Sequence, residues 1–378
     1  MKNKWKAKDF KLGVLGGGQL GRMLIQEAID LDIHLHMMDP DQNAPCSLIA
    51  HSFICGSITD YDSVMNFGRD KDLITVEIEN VNIEALEELE KNGVIVYPQP
   101  SVLKIIKDKG IQKNFYLENN IPTAVFKLYA DASAVAKDEI KYPIIQKTRT
   151  GGYDGKGVQL LKTAQASFDA PNLCEELVDF DKELSIIVAR NKKGQIKCFP
   201  SVECEFNPEA NLVEYLFSPA EISIDIEEKA NAIAADLIQK LDMVGLLAVE
   251  FFLCKDGSLL VNEVAPRPHN SGHHTIECCG TSQYAQHLRS ILNLPLGETK
   301  LLQPGAMINL LGEKGFSGPV IYDGLDRILE LPGVYPHLYG KSETKPFRKM
   351  GHITITGESL TQVREIAGQV KEKIKVKA

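Results

Sequence analysis

The sequence predicts a mixed α/β and α+β protein of more than one domain. Residues 1–110 alternate strand-like and helix-like segments. Residues 111–304 turn to hairpins with charged turns, and residues 305–378 form a smaller strand-rich segment closed by a helix. A chain of 378 residues also exceeds one ordinary core.

Lys11 to Leu15 is a short apolar run ending in glycines, after which Leu20, Leu24, Ala28 and Ile29 recur at helical spacing. Ile33 to Met38 reads as a second strand stopped by Asp39-Pro40. Leu73 to Ile78 (strand), Ile83 to Lys91 (helix) and Val94 to Tyr97 (strand) follow. This order calls for a parallel sheet. Beyond it, Pro143 to Lys147 and Val158 to Leu161 are strands around the loop 148–157. Leu184 to Arg190 and Gln195 to Phe199 flank the turn Asn191-Lys192-Lys193-Gly194. Ala230, Ile233, Ala234, Leu237, Ile238 and Leu241 form one stripe of an amphipathic helix. Leu246 to Cys254 and Ser258 to Val264 pair as a hairpin across Asp256-Gly257.

Hydrophobic content of 44% with 25% charged residues is that of a soluble globular protein. A net charge of −9 argues against a general nucleic-acid binder. No stretch reaches the roughly 18 apolar residues of a membrane span, and the N-terminus lacks the pattern of a signal peptide. The eight cysteines form no C-x-x-C pair and read as reduced, mostly buried thiols of a cytosolic protein. Cys278-Cys279, near His273 and His274, fits no common zinc spacing.

Gly16-Gly17-Gly18-Gln19-Leu20-Gly21 satisfies G-x-G-x-x-G between a strand and a helix, and Asp39 ends the next strand where a ribose-binding acid would sit. Alone, this points to an NAD-dependent oxidoreductase or to nothing more than a tight turn. The rest of the chain supplies a second nucleotide signal. Thr150 to Gly157 carries four glycines in eight residues, with Lys147 and Lys156 beside it, a composition suited to an anion-binding nest. A two-residue turn at Asp256-Gly257 would pair Lys255 with Ser258 and therefore set Glu250 opposite Glu263, with Cβ atoms about 4.5–5.5 Å apart. Carboxylates so placed repel, and Mg²⁺ shared with phosphates relieves them. Together these features describe phosphoryl transfer by positioning and charge neutralisation. No Walker loop or kinase motif is present.

Gly16 to Met23, Arg149 to Gly157, Asn262 to His273 and Arg348 to His352 closely resemble, in order, the motifs of 5-(carboxyamino)imidazole ribonucleotide synthases, a family of ATP-grasp enzymes in purine biosynthesis. The resemblance implies a Rossmann-like pre-ATP-grasp domain (1–110), a two-lobed ATP-grasp domain (111–304) and a small C-terminal strand-rich domain (305–378). It implies ATP-dependent carboxylation of 5-aminoimidazole ribonucleotide with bicarbonate, in a homodimer. ATP contacts fall on Lys109, Lys147, Gly152, Tyr153, Asp154, Gly155, Lys156, Gly157, Val158, the linker Glu175-Glu176-Leu177-Val178, Glu183, Asn262 and Glu263, and magnesium on Glu250 and Glu263. Substrate contacts fall on the first glycine turn with Gln19, and on Glu79, Tyr153, Asp154, Arg267, His269, Asn270, Ser271 and His273. Lys341 and Arg348 would hold the ribonucleotide phosphate, and Asp154 or His273 would accept the proton. Lys109, where many relatives have Arg, and Cys204-Glu205-Phe206, in place of Asn-x-His, depart from the family pattern.

Three other readings remain. A formate-dependent ribonucleotide transformylase would lack the NSGH and RKMGH segments, an oxidoreductase would bind NADH, and a non-catalytic binding protein would have lost the paired glutamates or the lysines.

Overall fold

The computed structural model describes residues 4–7, 9–152, 157–207 and 212–378. Strands β1 (Leu12–Leu15), β2 (Leu35–Asp39), β3 (Ser52–Cys55), β4 (Leu73–Val76) and β5 (Ile95–Val96) form a parallel sheet in the order β3-β2-β1-β4-β5. Every residue of β1 and β4 is buried, because both faces of the sheet are covered. Helix α1 (Gln19–Asp30) packs Leu20, Met23 and Leu24 on one face, against Leu12, Val14 and Met37. Helices α2 (Tyr61–Gly68) and α3 (Ile83–Lys91) pack Val64, Phe67, Leu86 and Leu89 on the other. The parallel sheet is as the sequence predicts; β3 and α2 are additions. β3 is an edge strand with two exposed residues, so its apolar signal is weak.

Helices α4 (Pro100–Lys107) and α5 (Lys109–Glu118) lead out of this layer. The hairpin pattern expected from residue 111 therefore begins later than the sequence reading has it. Asp108 starts α5, its side chain accepting from the N–H groups of Gly110 and Ile111 at 2.8 and 3.2 Å. The buried face of α5 is Gly110, Gln112, Lys113 and Tyr116, which carries almost no apolar periodicity.

Next comes an antiparallel sheet of β6 (Phe126–Tyr129), β7 (Ile144–Thr148), β8 (Val158–Leu161) and β9 (Asn172–Glu176), ordered β6-β9-β7-β8, with α6 (Ala132–Ala136) packed beside it. Facing it is a nine-stranded sheet. It contains β10 (Phe180–Arg190), β11 (Ile196–Cys198), β12 (Val202–Asn207), β13 (Leu212–Ser218), β14 (Gly245–Cys254), β15 (Leu259–Ala265) and β16 (Gly305–Leu311). Helix α7 (Ile224–Lys240) starts at the Ser223 cap with Asp225 and Glu227 in its first turn and Lys240 in its last, matching the helix dipole. It buries Ala230, Ala234, Leu237 and Ile238 against Leu184, Ile186, Leu247 and Val249. Full burial of Leu237 and Ile238 contributes about 3–6 kcal/mol. Helices α8 (Thr275–Cys278) and α9 (Gln283–Ile291) follow, and α9 reaches the first sheet, His287 Nε2 lying 2.9 Å from Thr75 Oγ1.

The last segment extends the nine-stranded sheet. Strands β17 (Gly318–Pro319) and β18 (Ile321–Asp323) and helix α10 (Leu325–Leu329) precede β19 (Val334–Leu338), β20 (Glu343–Thr344) and β21 (Lys349–Thr356). The sheet continues β16-β21-β19. Helix α11 (Leu360–Lys373), capped by Ser359, covers it through Val363, Ala367 and Val370. The chain ends in β22 (Lys375–Lys377) on β18 rather than in the expected helix.

Candidate functional site

Glu250 of β14 and Glu263 of β15 are register partners, as the count requires, but by another route. The turn is one residue longer than expected. The Cys254 carbonyl accepts from Gly257 N–H at 2.9 Å, and Cys254 N–H donates to the Ser258 carbonyl at 2.9 Å, so Cys254 rather than Lys255 lies opposite Ser258. Gly257, at φ +81°, takes the left-handed position of this three-residue loop. Up to Phe251–Val261 the strands are offset by one residue from the predicted register, and an extra residue at Asn262 restores it at Glu250–Glu263. The bulge also aims Asn262, whose Oδ1 accepts from Lys147 Nζ at 2.8 Å.

Burial, the Glu263 charge and Glu183 push the Glu250 carboxyl up to about 7, against the pull of Lys109 and Lys147. Burial likewise raises Glu183 to about 7. Glu183 pairs with Cys204 across β10 and β12, and Ser185 pairs with Glu250 across β10 and β14. Period-2 alternation therefore puts Cys204, Glu183, Ser185, Glu250 and Glu263 on one sheet face. Lys109, at the start of α5, forms an ion pair with Glu263. Among the described residues no group of three metal-ligating side chains comes together.

Glu175 is not in a linker. It and Glu176 end β9, and Glu175 is 3% exposed, its carboxylate between two lysines, 2.5 Å from Lys113 Nζ and 2.6 Å from Lys147 Nζ. Leu177 and Val178 lie in the connection to β10, Leu177 half exposed. Lys113 joins this cluster although sequence reasoning misses it, its spacing of four from Lys109 being the one available signal. Gly152, Gly157 and Val158 border the predicted phosphate loop, where Gly157 sits at φ +74° and its carbonyl accepts from Thr148 N–H at 2.8 Å. Tyr153, Asp154, Gly155 and Lys156 lie outside the described residues.

The first glycine turn is filled by the protein's own acids. Gly17 N–H donates to Asp39 Oδ2 at 2.8 Å, Gly21 N–H to Glu77 Oε2 at 2.5 Å, and Gly18 N–H to Glu77 Oε1. Burial pushes the Glu77 carboxyl up while these bonds pull it down. Gly16 has φ +102°, and a Cβ there would overlap Glu77 Cγ. A dinucleotide pyrophosphate would have to displace Glu77. Gln19 starts α1 beside this turn.

Glu79 and Arg267, both expected to touch substrate, hold each other, with Arg267 Nε 2.5 Å from Glu79 Oε2; desolvation is outweighed by Arg267 and the Glu79 carboxyl falls to about 2. His269 Nδ1 lies 2.9 Å from Ser271 Oγ, which lies 2.8 Å from Ser185 Oγ, and His269 Nε2 is 3.8 Å from Glu250 Oε1. Asn270 opens the short turn Asn270–Gly272 between them. His273 is 1% exposed. It stacks on His352 at 4.4 Å, His352 stacks on His337 at 4.4 Å, and Tyr284 Oη lies 2.9 Å from His273 Nδ1. Burial holds His273 well below its ordinary range, so it is a neutral ring inside a packed layer, not a group at a cleft surface. Lys341 Nζ donates to the Lys349 carbonyl at 2.7 Å, and Arg348 Nη1 to the Glu343 carbonyl at 2.6 Å, flanking the start of β21.

A glycine-rich connection between β7 and β8, lysines, and opposed glutamates on a facing sheet define an ATP-grasp ligase. The sequence pattern of the ATP-grasp domain matches residues 114–284, that of the ribonucleotide synthetase preATP-grasp domain residues 10–107, and that of the phosphoribosylaminoimidazole carboxylase C-terminal domain residues 305–366. The chain is 38% identical to the N5-carboxyaminoimidazole ribonucleotide synthase of Synechococcus elongatus, over 93% of this chain and 91% of that protein. It is 40% identical to the chloroplastic phosphoribosylaminoimidazole carboxylase of Vigna aconitifolia, over 94% of this chain, but spans only 65% of that longer protein. The structure of N5-carboxyaminoimidazole synthase from Aspergillus clavatus, in complex with ADP and 5-aminoimidazole ribonucleotide, superposes with a TM-score of 0.87 at 31% identity, covering 96% of this chain and 98% of that one. The chain belongs to the N5-carboxyaminoimidazole ribonucleotide synthase family.

Proposed function

We propose that this chain joins bicarbonate to the exocyclic amine of 5-aminoimidazole ribonucleotide, converting ATP to ADP and phosphate. The observation that carries the proposal is the linked cluster in which Glu250 and Glu263 of β14 and β15 meet Lys109 of α5, and Asn262 of β15 meets Lys147 and Glu175 of the four-stranded sheet. The near-complete span of the Synechococcus synthase supports it, and so does the Aspergillus complex. Domain limits near residues 110 and 304 belong to this reading, as do a homodimer and a cytoplasmic location.

Glu250 and Glu263 fit a hard cation, since opposed carboxylates, one raised to about 7, offer oxygen donors that gain from a positive charge. When bound, Mg²⁺ would neutralise charge on the β- and γ-phosphates. Lys147, Lys109 and the loop 150–157 orient those phosphates. A bicarbonate oxygen attacks the γ-phosphorus, the bond to the ADP oxygen breaks, and carboxyphosphate forms. Loss of its phosphate delivers CO₂ to the amine, and the amine proton passes to a base. Because His273 is buried away from the cleft and burial lowers its basicity, we assign that base to Asp154 and give His273 a positioning role. Lys341 and Arg348 hold the ribonucleotide phosphate, with Gln19, Glu79, Arg267, His269, Asn270, Ser271 and Tyr153 around the substrate. The adenosine side lies along Gly152 to Val158, Glu175 to Val178 and Glu183.

The test is ADP release with labelled bicarbonate, with and without 5-aminoimidazole ribonucleotide. Ribonucleotide-dependent ADP release with label in acid-labile product is expected. Formate incorporation instead of bicarbonate, or release indifferent to the ribonucleotide, would overturn the proposal.

A further inference from the structure

We infer that Lys113 is a positioning residue for nucleotide binding, sharing the Glu175 carboxylate with Lys147 and so leaving Lys147 positive charge for phosphate. This rests on the ATP-site reading above. Helix α5 presents Lys109 and Lys113 four residues apart on one face, Lys109 to Glu263 and Lys113 to Glu175. Lys113, Lys147 and Glu175 are 2%, 7% and 3% exposed, so little water screens them. Each Glu175 oxygen faces a different lysine. The Lys113 contact is a close ion pair without an aligned hydrogen bond, Glu175 Oε1 having no well-aligned donor. Lys113 instead donates to Thr123 Oγ1, which donates to the Val261 carbonyl at 2.7 Å, while Lys147 donates to Asn262. Both lysines are thus fixed to adjacent residues of β15, next to the Asn262 bulge.

One carboxylate against one lysine would cancel, and Lys147 would offer a phosphate little. One carboxylate shared by two lysines neutralises neither fully, so Lys147 keeps more of its charge for an anion than a one-to-one pair would leave it. Burial above all, with the neighbouring Lys147 and Lys109 charges, lowers Lys113 to about 8 against the pull of Glu175. Lys113 itself is shielded behind Glu175, so its effect on ligand passes through Glu175 and Lys147.

The experiment measures the dissociation constant of Mg-ATP by calorimetry, and KM for both substrates, on full-length Lys113→Met, Lys113→Gln, Lys113→Arg, Lys147→Met and the double variant Lys113→Met/Glu175→Gln. Lys113→Met and Lys113→Gln are expected to weaken ATP tenfold or more while KM for the ribonucleotide stays within twofold, and Lys113→Arg to retain affinity. The double variant should regain affinity to within threefold of wild type, because a neutral amide in place of the Glu175 carboxylate returns the Lys147 charge to the ligand. A side chain that only packs would give a double variant no better than the single, and that result overturns the inference. If Lys113→Met fails to fold, Lys113→Gln, which can still bond Thr123, carries the comparison, paired with Glu175→Gln. Loss of ATP binding in Lys147→Met with none in the Lys113 variants sinks this inference alone. Intact ATP binding in Lys147→Met sinks the site reading beneath it.

Discussion

Glu250→Gln should stabilise the metal-free protein at alkaline pH and leave it unchanged at acid pH. The Glu250 carboxyl is raised from an ordinary 4.5 to about 7 by burial and by Glu263 and Glu183. A raised carboxyl favours the folded state only while protonated, so its contribution is full below about pH 4 and is lost as pH climbs through about 7. A move of that size corresponds to about 3.4 kcal/mol. A third of the side chain is exposed, at 33%, and discounting for solvent screening leaves about 2 kcal/mol. The amide introduced by Glu250→Gln has no charge to bury and keeps that stability at pH 8. With an unfolding entropy scaled to 378 residues, the shift in Tm is about 2–3 °C. Thermal melts in EDTA at pH 5 and pH 8 read it directly, and adding Mg²⁺ with ADP at pH 8 should raise wild type more than Glu250→Gln. An equal Tm difference at both pH values, or a less stable variant at pH 8, would refute the argument that Glu250 and Glu263 are held together against their repulsion.

Lys341→Ala and Arg348→Ala should each raise KM for the ribonucleotide about tenfold with KM for ATP unchanged, since a charge-assisted phosphate bond contributes roughly 1.5–3 kcal/mol; steady-state kinetics with each substrate varied checks this. Gly16→Ala should cost about 1–3 kcal/mol of stability, read as a lower denaturant midpoint at unchanged slope, because alanine would have to adopt φ +102° against Glu77. Asp154→Asn should release phosphate without matching incorporation of labelled bicarbonate. If both fall together by less than about threefold, or ~0.65 kcal/mol, Asp154 serves the loop and not proton transfer.

The parallel layer was legible because β1 and β4 are buried on both faces and therefore read as apolar runs, and α7 because its buried stripe is wholly aliphatic. The acidic pair was legible for a less secure reason. The turn at Gly257 adds one residue and the bulge at Asn262 takes the offset back, so two departures cancel before Glu250 is reached. A strand count from a turn holds only as far as the first bulge, and bulges leave little trace in composition. Without the bulge, Glu250 would have faced Asn262, and Glu263 would have pointed to the opposite face of the sheet.

What stayed hidden has a common physical cause. The motif Gly16 to Gly21 fixes a helix N-terminus that favours negative charge, but which acid arrives there depends on β4 delivering Glu77 from 59 residues beyond Gly18. Sequence alone cannot separate a cofactor phosphate from a carboxylate of the same chain, because both satisfy the same N–H groups. Helix α5 is the complementary case. Its buried side is Gly110, Gln112, Lys113 and Tyr116, so a search for apolar periodicity passes over it, although two of its lysines reach Glu263 and Glu175. A helix that turns polar groups inward gains much of its order from tertiary ion pairs, here beside the few rings, Tyr116 and Phe115, that it adds to the core. Weak periodicity between two confident elements, with lysines spaced by four, is therefore a reason to look for a buried charge network at that place.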